Sequence, residues 1–311
     1  MKAFFLVMML TFSGVTGAGS YVFINQQQGS SISVYDGQNM RLLRSIPALE
    51  GPAGIAIDVE NDWLAVSYPE QGMISFIDSR RLIPLEHIAV GGSPFGLAIA
   101  AGKLFYGDWN GGFAGVVDPA DGRLLKKIPV GQSPAGLVAV TERDLVLVLN
   151  RESDSISVID ASTLQRLKNI PVGKAPFALD HDGRYAYVVN STSNDLSVID
   201  LDRLIEIRRI ATGRMPYGVA LDCSGHRLYV SNQLENTVSV IDTVKGRITE
   251  TMNTGAYPEN IALDQDNRRL YVLNWLDATL SIFDTRNHNL LQTVELEEGS
   301  RAFGRFVLSN R

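Results

Sequence analysis

VLVLNRESDSISVID (146–160), AYVVNSTSNDLSVID (186–200), LYVSNQLENTVSVID (228–242) and LYVLNWLDATLSIFD (270–284) repeat one pattern: an apolar run, an Asn, a short polar loop, a second apolar run and a closing Asp. The closing aspartates are Asp36, Asp78, Asp118, Asp160, Asp200, Asp242 and Asp284, spaced by 42, 40, 42, 40, 42 and 42 residues, so the chain holds seven copies of one unit. A Gly-x-x-Pro turn keeps the same period at Gly91/Pro94, Gly131/Pro134, Gly173/Pro176, Gly213/Pro216 and Gly255/Pro258, with Pro52 heading an earlier copy. Each proline opens a short apolar run, so a unit reads as four strands: GVALD (218–222), LYVSN (228–232), TVSVID (237–242) and RITETM (247–252) in one copy. Short alternating runs bounded by Gly, Pro, Asn and Asp are strand signals, and no stretch holds a helical period. A period near 40 with four strands per unit predicts an all-β fold, a seven-bladed β-propeller of four-stranded blades.

The chain ends fit a ring. Tyr21 enters in a second-type strand, so the first unit lacks its opening strand, and the orphan run from Arg301 to Ser309 is expected to supply it. That closure removes an open sheet edge. Seven strands converging on one axis need small residues, and Gly54, Gly96, Gly136, Ala178, Gly218, Asn260 and Gly304 share one register expected to face the channel.

These units resemble the YVTN (YncE-like) family of seven-bladed propeller repeats, with LYVSN and LYVLN followed by TVSVIDT and TLSIFDT as near-consensus copies. The resemblance covers residues 21–309, although Tyr68 and Asp108 stand where the pattern has Asn. It implies an exported bacterial or archaeal protein. Relatives include the haem domain of a nitrite reductase, amine dehydrogenase propeller subunits and propeller lactonases, so the fold does not fix an activity.

Composition bounds the partners. The chain has 311 residues, a net charge of −6 and 45% hydrophobic content, which is ordinary for a globular protein. An acidic chain without clustered Lys/Arg is not expected to bind nucleic acid. Lys2, the apolar run Ala3–Leu10 and the small residues up to Ser20 read as a signal peptide over residues 1–20, ahead of a propeller domain over 21–311 in the periplasm or outside the cell. No run is long enough to span a bilayer as a helix. Cys223 is the only cysteine, so no internal disulfide forms and stability rests on a core.

In a propeller, the loops joining fourth to first strands and second to third strands gather at one end of the channel. They are expected to bring Phe95, Trp109, Arg151, Lys174, Phe177, Arg214, Tyr217, Glu259, Asn260, Trp275, Arg301 and Phe303 to one mouth. Rings supply flat apolar area and guanidinium groups pair with carboxylates, so the mouth suits a flat or anionic small molecule or a partner peptide. No nucleophile elbow, phosphate loop, zinc spacing or EF-hand loop is present. Neither a catalytic nor a metal site is therefore assigned, and the repeating aspartates read as turn formers.

The leading expectation is a non-catalytic binding module without a cofactor. The alternative is a redox protein, or a dehydrogenase propeller subunit, carrying the haem or quinone that the family resemblance implies. A metal-dependent lactonase would have to draw on Asp108, Glu259 and Asn260, and a cell-surface adhesive role completes the set. None of His87, His181, His226 and His288 falls at the mouth, which weighs against an axial haem ligand there. The leader predicts that mass spectrometry of the exported protein finds an N-terminus between about Gly17 and Tyr21. Recovery of the intact Met1 form from the cytoplasm would refute export.

Overall fold

The computed structural model describes residues 19–309, so the expected leader lies outside it except for Gly19 and Ser20. Seven sheets stand radially about one axis. Blade 2 is typical, with antiparallel strands Gly54–Asp58, Trp63–Tyr68, Met73–Asp78 and Ile83–Ala89 running from the axis to the rim. The first three strands are almost wholly buried, while the fourth alternates toward solvent. The faces of each sheet pack on the neighbouring blades, so apolar residues from adjacent blades share each core cluster.

First strands of successive blades touch along the axis. The glycine register lies where these strands meet, and Gly96, Gly136, Ala178, Asn260 and Gly304 of it also line a cavity on the axis, as the sequence suggests. A Cβ on Gly54, Gly96, Gly136, Gly218 or Gly304 would sit inside 3.0 Å of a carbonyl oxygen in the next blade. Asn260 is the polar member of this column, and its Nδ2 donates to the Gly304 carbonyl at 2.8 Å.

The repeating polar residues hold the blades. Asn150 Nδ2 donates to Ser155 and Ser157, while its Oδ1 accepts Gly131 N–H at 2.9 Å from the connection before blade 4. Asn232 and Asn274 make the same pair of donations. The closing aspartates accept backbone N–H groups of the next turn, as Asp200 does from Asp202 and Arg203. A bulge between third and fourth strands recurs at one place in every blade, for example Val158/Ile159 and Val240/Ile241.

Blade 1 corrects the repeat frame. Gln26 pairs with Ser31 as Asn150 pairs with Ser155, so Gln26 occupies the landmark level and Asn25 stands one residue earlier. Asn25 instead donates to the Ala53 carbonyl at 2.6 Å, as Ser67 does to Phe95 in the blade that follows.

The C-terminal run closes the ring as expected, by a split route. Ser300–Arg301 and Val307–Leu308 pair antiparallel with Tyr21–Gln26, while Phe303–Gly304 pairs parallel with Gly54–Ile55 of blade 2. From the partner of Gln26 to that of Val22 the run goes from 300 to 307, whereas the same step in blade 6 goes from 216 to 221. Two extra residues thus let the chain leave blade 1, touch blade 2 and return. They also put Arg301 at the level just after the proline.

A chain ending at Glu298 should melt well below the full chain or associate through its opened first blade, as read by calorimetry and sedimentation. An unchanged midpoint in a monomer would refute closure. Burial pushes the phenols of Tyr106, Tyr229 and Tyr271 up to about 12. Because the folded value lies above the unfolded one, their stabilising contribution is complete below about pH 10 and is lost as pH rises from there through about 12. Alkaline unfolding should therefore track phenolate absorbance in that window.

Candidate functional site

The loops gather at one end as the repeat frame requires. In five blades the residue after the landmark donates its N–H to the turn before the proline: Trp109 to Ser93, Arg151 to Ser133, Ser191 to Ala175, Gln233 to Met215 and Trp275 to Tyr257. Second-to-third and fourth-to-first loops are thereby tied into one face.

Aromatic rings close the axis at this face. Phe95 of blade 3 and Phe177 of blade 5 are not ring neighbours, yet their centroids lie 6.4 Å apart, and Phe303 sits 4.8 Å from the first and 5.0 Å from the second. Residues so placed meet only across the axis. Tyr217 packs on Phe177 at 4.1 Å and Trp109 on Phe95 at 5.2 Å, edge-on. The expected mouth is thus a floor of rings, with Phe177 buried and Phe95, Trp109, Tyr217 and Phe303 half-exposed.

Beside the floor lies a polar nest. Arg301 stacks over Trp275 at 4.7 Å, and its guanidinium pairs with Glu259 Oε1 at 2.8 Å and with Gln27. Tyr257 packs on Trp275 at 5.6 Å. Burial pushes the Glu259 carboxyl up, against the opposing pull of Arg301. Burial, then the Glu259 charge, hold the Tyr217 phenol well above its ordinary value, so it stays neutral. Three buried atoms here make no hydrogen bond: Gln26 Nε2, Gln233 Oε1 and Arg301 Nε. Buried polar atoms of this kind are met by water or by a ligand's polar groups.

The remaining expected residues stand apart. Lys174 is exposed and pairs with Asp154 at 2.5 Å, which holds that carboxyl below its usual range. Arg214 is exposed, and Arg151 is half-buried with its charge felt at Tyr217. Asn260 is spent between blades. Asp108 accepts Gly111 N–H at 2.8 Å as a turn residue.

Below the floor the first strands leave open space on the axis. A cavity of about 730 Å³ occupies the axis, lined by the first strands of all blades and reaching Asp58, Thr141, His181 and Gln265 at the opposite end. His181 Nδ1 accepts Gly183 N–H and its Nε2 meets the Ala139 carbonyl at 3.0 Å. His87 bonds Ser75 and His288 bonds Glu250, both away from the ring floor. Among the described residues no three His, Cys, Asp or Glu side chains are grouped to hold a metal ion.

A family model described as YNCE-like beta-propeller matches residues 116–227. Among solved structures the chain is similar to Kuenenia stuttgartiensis hydrazine synthase, with 17% identity over 86% of this chain and 92% of that one at a TM-score of 0.74. It is also similar to the dihydro-heme d1 dehydrogenase NirN in complex with DHE, with 14% identity over 90% and 74% at 0.68. A functionally unknown protein from Desulfotomaculum acetoxidans shares 14% identity over 92% and 99% at 0.75. No curated protein matches significantly. At such identities the likeness is one of fold. The family match runs from blade 3 into blade 6, and the same unit repeats around a closed ring of seven, so the fold is a seven-bladed β-propeller whose middle blades are similar to the YNCE-like model.

Proposed function

We propose that this propeller is an exported, non-catalytic binding module that recognises a protein or small ligand on its ring-floored loop face. The observation that carries the reading is the juxtaposition on one face of half-exposed aromatic rings, the unpartnered buried atoms of Gln26, Gln233 and Arg301, and the cations Arg151 and Arg214. Rings supply area at low entropic cost, while guanidinium groups select acidic or carbonyl-bearing partners. The rings of Phe95, Phe177 and Phe303 close the axis on this side, so the occupant lies across the face.

A second reading is a haem-carrying propeller, favoured by the likeness to a dihydro-heme d1 dehydrogenase. The loop face offers flat rings for stacking and Arg151, Arg214 and Arg301 for propionate groups, but none of the four histidines as an axial ligand. A visible spectrum of protein purified from its exported fraction separates the two readings. A spectrum without a Soret band is expected, and a stoichiometric band would put the second reading first.

For a partner isolated from that fraction, Trp275→Ala and Arg214→Ala should each weaken binding by about 1–3 kcal/mol, the range of an interface hot spot. The melting temperature of the Arg214 variant should hold, because its side chain is exposed. Unchanged affinity in both variants would remove the loop face from the function.

A further inference from the structure

The axial cavity is a second compartment, separate from the loop face. It is stopped at one end by the rings of Phe95, Phe177 and Phe303 and opens at the other, among the turns between first and second strands. Its volume of about 730 Å³ lies within the range of small-molecule sites.

Comparing the seven copies at one level shows what is unusual in its wall. Counting back from the Val307–Val22 pair places Arg305 level with Ile55, Leu97, Leu137, Leu179, Val219 and Ile261. Six blades carry an aliphatic residue there, all of them buried, and the seventh carries an exposed arginine that lines the cavity. Arg305 makes no hydrogen bond or ion pair among the described residues. At the next level Asp180 replaces Ala56, Ala98, Val138, Ala220 and Ala262, but its carboxylate is engaged: Oδ2 accepts Leu221 N–H and Oδ1 accepts His181 N–H, both at 2.8 Å. Asp180 thus ties blade 5 to blade 6 and contributes to the field around Arg305 without pairing with it. The guanidinium stands uncommitted in a compartment closed at one end, whose wall is Ala, Ile, Leu and Val along the inner strands and Asp58, Glu60, Asn61, Thr141, His181 and Gln265 toward the open end.

We propose that the axial cavity binds a small apolar carboxylate, such as a medium-chain acyl acid. Its carboxylate would pair with the Arg305 guanidinium, and its chain would lie along the aliphatic inner strands. A planar five-donor fork matches a carboxylate in two parallel hydrogen bonds. The ligand enters from the end opposite the loop face, so this site and the proposed partner face fail or succeed independently.

Isothermal titration of the whole chain with octanoate, and with octanol as the uncharged counterpart, tests this. One octanoate per chain is expected, with octanol at least about tenfold weaker, as loss of a charge-assisted pair requires. Arg305→Leu restores the residue type of the other blades, so it should fold and melt normally while weakening octanoate by about tenfold or more. Arg305→Lys, which keeps the charge, should lose less. Trp275→Ala on the loop face should leave octanoate affinity unchanged. Absence of octanoate binding, equal affinity in Arg305→Leu, or loss of octanoate binding in Trp275→Ala would each overturn the proposal.

Discussion

Seven sheets that share one axis bring their innermost strands so close that, at one level, five of the seven positions have no room for a Cβ, and Ala178 and Asn260 complete the column. The carbonyl of Phe95 occupies the space a Cβ of Gly54 would need, and Ala135, Phe177, Glu259 and Ile55 do the same to Gly96, Gly136, Gly218 and Gly304. Everything outward follows from that approach. Above this level the post-proline side chains, Phe95 and Phe177 among them, reach across the axis. Below it, the strands diverge into a cavity. Replacing such a glycine requires either the strands to separate or the carbonyl to move, and both disturb two blades at once.

Polar side chains then compensate the strand edges that converge on the axis. Ser67 and Ser231 donate to carbonyls of the next blade, Asn25 does so for blade 1, and Asn260 does so for Gly304. Because these residues satisfy inter-blade backbone, their conservation of type within the chain reflects packing. The loop residues just beyond them are free of that duty. Trp109, Arg151, Ser191, Gln233 and Trp275 share one backbone hydrogen bond and little else, which is the variation a recognition surface draws on.

Blade number, strand order and ring closure were legible because the aspartate spacing is regular and each copy repeats its turn chemistry. In blade 1 an Asn, Asn25, stands one residue before the landmark level, and only the Gln26–Ser31 pairing shows that register. Loop-face membership could also be read, but the meeting of Phe95, Phe177 and Phe303 could not, since it depends on side chains crossing an axis that no local pattern describes. Arg305 escaped notice for a related reason. Two extra residues in the closing run shift it relative to the other copies, so its column appears only once the strand pairs are known.

The split closing run also bears on how the molecule is assembled in time. Tyr21 finds its partner in Leu308, and Gln26 finds its own in Ser300, so the innermost pairing of blade 1 joins residues at opposite ends of the sequence. Blades 2 to 7 close from contacts within about forty residues and can form in succession as the chain is made. Blade 1 must wait with the inner edge of Tyr21–Gln26 unpaired, and an unpaired edge is a template for another chain. The parallel pairing of Phe303–Gly304 with blade 2 then latches the returning segment to a blade already formed. Pairing of the closing run thus also covers the edge through which the chain would otherwise meet its own copies.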